Sequence, residues 1–148
     1  MYPIEILPIK GQLTISHFRG PNLIYQESSK QTITTVGKNW IVDKLQDLPA
    51  STAQVKWHQS GINATAATSS DTDLGSAIYS RTSGSRTEGA SANIYRSVAT
   101  ISYTGTRTVT EWGIFTTSSS GTMISRKTFS RSVVNGDSIQ FTWDLTVG

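Results

Sequence analysis

The chain has 148 residues, the length of one ordinary domain. Serine and threonine supply 42 of them and only 16% are charged, while four Trp, five Tyr and four Phe provide the bulky core material that a disordered polar chain lacks. With no cysteine, disulfides, thiolate chemistry and cysteine-based zinc sites are excluded; the net charge of +3 is spread over Arg81, Arg86, Arg96, Arg107, Arg126 and Arg131 without the basic run that tracks a phosphate backbone.

Pro3, Pro8 and Pro21 keep the first 34 residues out of helices and central strands, which leaves an extended arm or an edge strand. The expectation is an N-terminal arm over residues 1–12 ahead of one β-rich domain over 13–148. Tyr2, Ile4, Ile6, Leu7 and Ile9 are the arm's candidate protein-contact residues, because an arm that does not fold back must bury them on a neighbour. The run is short, contains Glu5 and Pro8 and lacks a cationic lead, so it reads as neither a secretory signal nor a membrane span.

Val36, Trp40, Ile41, Leu45 and Leu48 recur at helical spacing, with Lys38, Asp43, Lys44 and Asp47 between them and Pro49 behind. The spacing predicts one amphipathic helix over 35–48 whose apolar stripe faces the core. From 51 to 93 the chain turns small and polar; a short strand at 54–58, a loop to Thr72, an anchored turn at Leu74 and a second loop through Gly89 are expected. The C-terminal third is β. Tyr95, Ala99, Ile101 and Tyr103 share one parity, 108–116 and 122–129 continue as strands, and Asn135-Gly136-Asp137 is a turn of the kind that closes tight hairpins. It leads into Ile139, Phe141, Trp143, Leu145 and Val147, which alternate strictly with polar residues and predict a strand with one buried face. The fold class is therefore mainly β: an antiparallel β-sandwich or barrel-like domain with one short amphipathic helix and an extended N-terminal arm.

Chemistry-bearing residues are sparse. His17 and His58 are the two histidines, and neither sits in a Gly-x-Ser-x-Gly elbow or a His-Glu-x-x-His motif, so no catalytic residue is assigned and the chain is expected not to be an enzyme. Asp71 and Asp73 lack the evenly spaced oxygen ligands and terminal carboxylate of a calcium loop; turn capping is the better reading, and neither a metal nor a cofactor is expected. No phosphate-cradling Gly-x-x-x-x-Gly-Lys occurs, and Asn63-Ala64-Thr65 is a sequon without a secretory leader. Tyr25, Trp57 and Tyr79 are aromatics that would stack on a sugar if exposed, with core packing as their default.

The order of segments resembles a group of small structural proteins of tailed bacteriophages. The likeness is carried by Thr34-Thr35-Val36-Gly37-Lys38-Asn39-Trp40-Ile41-Val42-Asp43-Lys44-Leu45, Asp71-Thr72-Asp73-Leu74-Gly75-Ser76-Ala77-Ile78, Thr110-Glu111-Trp112-Gly113-Ile114-Phe115, Gly121-Thr122-Met123-Ile124-Ser125-Arg126 and Val133-Val134-Asn135-Gly136-Asp137-Ser138. It spans about residues 11–148, and it departs at Trp57-His58-Gln59-Ser60-Gly61, where the pattern has a Gly-Thr-Gly turn. The resemblance implies a capsid decoration, or cement, protein, made in the host cytoplasm and seated on the capsid surface of the virion. Its implied partners are the major capsid protein and further copies of itself, as a homotrimer, with no specific nucleic acid and no membrane. A tail, fibre or baseplate adaptor is the alternative, and a carbohydrate-binding module a third reading.

Overall fold

A computed structural model describes residues 8–46 and 53–148. The strands are β1 (Ile9–Arg19), β2 (Asn22–Ile33), β3 (Trp57–Gly61), β4 (Thr82–Ser83), β5 (Thr87–Glu88), β6 (Ile94–Ser102), β7 (Arg107–Phe115), β8 (Met123–Val133) and β9 (Asp137–Val147), with one helix, α1 (Thr35–Leu45), between β2 and β3. They form an antiparallel sheet in the order β4-β3-β7-β8-β2-β1-β9-β6-β5, curled into a half-barrel. One half of it, β2-β1-β9-β6-β5, packs face to face on the other, β4-β3-β7-β8.

The inward parity of each strand supplies the core. Leu13, Ile15, Ile139, Phe141 and Trp143 from the first half meet Val109, Trp112, Ile114, Ile124 and Val133 from the second, all fully buried. Trp112 stacks on Phe141 with ring centres 6.1 Å apart, and Phe129 meets the same ring edge-on at 6.0 Å. At about 25 cal/mol per Å² of apolar surface, these side chains dominate the favourable side of folding.

Two joints connect the halves. β2 pairs with β8 only through Thr32 and Ile33. On the far side, the segment 82–88 serves both margins: Ser83 pairs with Trp57 of β3, Gly84 N–H donates to Lys56 O, Ser85 N–H donates to Val98 O, and Thr87 pairs with Arg96 of β6.

Three expectations are corrected. Residues 9–12 are not arm: Ile9 pairs with Val147 and Gly11 with both Gln31 and Leu145, so β1 is a central strand. The prolines permit it because Pro8 precedes the strand and Pro21 lies in the β1–β2 turn, where no ladder N–H is needed. Second, Asn135-Gly136 makes its turn, with Gly136 at φ 90°, but joins β8 to β9 across the two halves instead of closing a hairpin. Third, α1 buries its stripe only in part: Val36 and Leu45 are exposed, Leu45 by 83%, Trp40 and Ile41 are half-buried, and Leu48 lies outside the described residues. The helix is held by its N-terminus instead. Thr34 caps it by accepting from Gly37 N–H at 2.9 Å, donates its hydroxyl to Met123 O at 2.6 Å, and gives its own N–H to Ile124 O. Gly37 lets the backbones close up, since a Cβ there would sit 2.8 Å from Ile124 O. The short strand expected at 54–58 runs instead over β3, and the expected anchored turn is present, with Leu74 packed on Phe115, Met123 and Trp57.

Candidate interaction surfaces

Of the five arm residues singled out by sequence, Tyr2, Ile4, Ile6 and Leu7 lie outside the described residues. Ile9 is the first residue of β1 and is 37% exposed. The functional geometry of the described chain lies elsewhere, in three polar constellations and one apolar end.

The most extensive constellation is built on β7. A β-bulge between Val109 and Glu111 shifts the strand's register, and Glu111, Trp112, Gly113, Ile114 and Phe115 are all buried. Trp112 and Ile114 belong to the main core. Glu111 and Phe115 belong to the opposite face, which the long segment 62–81 covers. The Glu111 carboxylate organises that cover: one oxygen accepts from Ser76 N–H at 2.7 Å and Asn63 N–H at 3.3 Å, the other from Gly75 N–H at 3.0 Å and Arg126 Nε at 3.0 Å. Arg126, 4% exposed, donates onward to Asp71 at 3.1 Å, and Asp71 accepts from both the backbone and the hydroxyl of Thr68. Asp71 thus caps a turn, as its spacing suggests, and its oxygens are occupied by donors. Asp73 accepts only from the adjacent Leu74 N–H. A strand-poor segment of twenty residues is fixed in one shape by a buried ion pair whose lone pairs are all used.

His58 lies inside the second constellation. Its Nε2 is 2.9 Å from Ser97 Oγ, which resembles a nucleophile and its base. The wiring is wrong for that. Trp112 Nε1 donates to His58 Nδ1 at 3.1 Å, so Nε2 carries the proton and donates to Ser97 instead of withdrawing from it. Burial pushes the imidazole down to about 3, both residues are fully buried, and Gly84 packs over them with no room for a Cβ. The pair is a polar cross-brace between β3 and β6.

The third constellation closes the end where β1 stops. Fully buried His17 gives Nε2–H to Asp137 at 2.8 Å while Arg131 Nε donates to its Nδ1 at 3.1 Å. Arg19 adds a two-pronged bond to Asp137, 3.0 Å on each oxygen, and Val134 N–H a further one. The Arg19 guanidinium holds the Asp137 carboxyl well below the ordinary carboxylate range. Arg131 also lies 3.8 Å over the ring of Tyr25.

These arrangements account for the dispersed arginines. Arg96 pairs bidentately with Asp144 at 2.7 Å, Arg81 stacks on Phe115 and donates to Thr117 O, and Arg107 donates to Thr104 O. Arg86 stands apart: it is exposed and makes no hydrogen bond or ion pair among the described residues. Tyr25 and Tyr79 are both half-buried, the latter against Tyr103, and half-buried Trp57 lies beneath Lys56. Among the described residues no group of three or more His, Asp or Glu side chains is placed to hold a metal ion, and no helix is long and apolar enough to cross a membrane.

The end where β1 begins is different. Two adjoining cavities open there between α1, β9 and the segment 86–95. Their walls are mostly apolar. Neither cavity was legible in the sequence, because together they are assembled from five separate stretches of chain.

No protein-family model, no curated protein and no solved structure matches the chain.

Proposed function

We propose that the chain is a non-enzymatic virion structural protein, a capsid decoration protein that reinforces a phage head as a homotrimer in contact with the major capsid protein. The observation that carries this reading is the treatment of 62–81. Twenty residues with no strand of their own, Asp71, Asp73 and Arg81 their only charged side chains, are clamped by Glu111 and Arg126 into an outer layer over β7. A chain that spends a buried ion pair on the shape of a surface presents that surface ready-made to another protein, so little ordering entropy is lost on contact. The N-terminal segment adds reach: Tyr2, Ile4, Ile6 and Leu7 precede a strand already docked, and burying a few such side chains contributes several kcal/mol at about 25 cal/mol per Å². In a symmetric shell each contact is repeated many times.

The test is position and copy number in purified particles. Hundreds of copies on the shell, lost when residues 2–7 are removed while the isolated domain still folds, fit decoration. Tens of copies confined to the tail replace it with the adaptor reading. Binding to a glycan array with no capsid pull-down replaces it with a carbohydrate-binding module.

A further inference from the structure

The open end of the sandwich has the features of a receptor. The inner cavity, about 320 Å³, is walled by Trp40, Val55, Ile124 and Trp143, and the outer, about 750 Å³, by Ala92, Ile94 and Val147. Arg86, Tyr95 and Leu145 line both, making one continuous groove. Two polar groups in it are unfulfilled. Trp143 is fully buried, yet its indole N–H has no acceptor among the described residues, an arrangement folded proteins rarely tolerate. Arg86 reaches both cavities without a counter-ion, whereas Glu88 faces only the outer one.

We propose that this groove receives residues 1–7 of a second copy of the chain. The proposal rests on the reading of the chain as an oligomeric structural protein only in requiring that second copy. Four lines on the molecule point to this occupant. Chemically, the segment offers Tyr2, Ile4, Ile6 and Leu7 with a single side-chain carboxylate, Glu5, matching an apolar groove with one unpaired guanidinium. Its backbone carbonyls are acceptors of the kind Trp143 lacks. Its reach is long: seven extended residues cover about 23 Å. Its origin is also right, because Pro8, whose carbonyl accepts from Gly148 N–H at 2.9 Å, enters the sheet beside Val147 on the rim of the outer cavity.

The second copy follows from Pro8 itself. Proline biases the residue before it toward extended backbone. In this proposal the extended segment continues beyond the start of β1 and is received by the groove of a neighbour. Such an exchange is heterologous, each copy giving a segment to the next, and it closes into a ring when the rotation allows.

The absence of cysteine makes the test clean. Ile4→Cys and Ala92→Cys proteins are purified separately, mixed and oxidised. The expected product is a disulfide-linked pair containing one chain of each kind, absent when either protein is oxidised alone. No mixed pair, or closure only within single chains of the double variant, overturns the proposal. Arg86→Glu, an exposed change that leaves the core intact, is expected to slow mixed-pair formation up to about fivefold, the size an exposed ion pair supports. Adding Glu5→Arg to the partner should restore the rate, and a rate indifferent to both changes overturns the placement of Glu5 at Arg86. Mixed pairs from a protein that never decorates a capsid would sink the decoration reading alone, and decoration without mixed pairs would sink this one alone.

Discussion

Where β1 stops and β9 starts, His17 and Asp137 are buried against each other and Arg19 and Arg131 cover them, so every ring nitrogen and carboxylate oxygen has a partner. Where β1 starts and β9 stops, Trp143 has a buried donor with no acceptor among the described residues, Leu145 is half-buried, and Val147 is 51% exposed. The same two strands therefore have one end sealed by charge and one whose described walls are mostly apolar. Buried polar groups are costly unless fully paired, so a polar end must be completed within the chain; apolar surface waits at smaller cost for something to cover it.

If polar closure is what fixes this fold, damage to it should outweigh damage at the open end. The largest effect is expected at Glu111, where Glu111→Ala leaves buried Arg126 with Asp71 alone as its ion-pair partner and strips the N–H groups of Asn63, Gly75 and Ser76 of their acceptor. A loss of about 3–5 kcal/mol in urea unfolding is the expected size for a broken buried pair. Protease cleavage within 62–81 should also become rapid. Asp137→Asn, at the sealed end, keeps the side chain's shape but removes its charge, and about 2 kcal/mol should be lost with the charged hydrogen bonds.

Acid separates the polar sites from the apolar end without mutation. His58 has its folded value lowered to about 3 from an ordinary 6.5, so the unfolded chain binds the proton more readily. Its contribution is complete above pH 6.5 and falls away as pH drops from 6.5 toward 3, by a few kcal/mol in all. Asp137, held low chiefly by the Arg19 hydrogen bond, keeps its contribution above the ordinary carboxylate value and loses it only as pH falls further. Thermal melts from pH 7 to 3 should show the first decline beginning near 6.5, and His58→Gln should flatten it.

At the open end, Trp40→Ala is expected to cost only about 1 kcal/mol, because the ring is half-buried on a helix held by its N-terminus. Loss of that size, or less, would sharpen the contrast; a loss as large as that of Glu111→Ala would break it. The smallest stability change belongs to Arg19→Ala, whose side chain is 53% exposed. Its readout is the acid limb, which should move to higher pH as Asp137 is released.

Alternation made β6 and β9 legible in the sequence, because a two-residue period leaves only one parity to bury. The N-terminal hairpin was obscured by counting prolines without placing them: Pro8 and Pro21 sit where no ladder bond is required. Helical spacing located α1 but not its role, since periodicity identifies an apolar stripe without saying whether anything covers it. Glu111 carried a readable signal. Trp112, Ile114 and Phe115 place apolar residues on both parities of β7, so both faces must be covered, and an acid in such a strand needs a buried partner. That the partner is Arg126, and that the cover is 62–81, depends on contacts 15 to 48 residues apart that no local pattern encodes.

The place of β9 has a kinetic consequence. It follows every other strand in the chain, yet it lies between β1 and β6, pairing Leu13 with Trp143 on one side and Ser97 with Trp143 on the other. Loop closure over so long a separation is slow, and the first half of the sandwich has no continuous ladder until it occurs. During synthesis β1 and β6 each keep one edge unpaired, the one that β9 will occupy, until residues 137–147 clear the ribosome. Folding is thereby deferred to a late, nearly all-or-none step, and a chain broken off before β9 lacks the strand that joins β1 to β6.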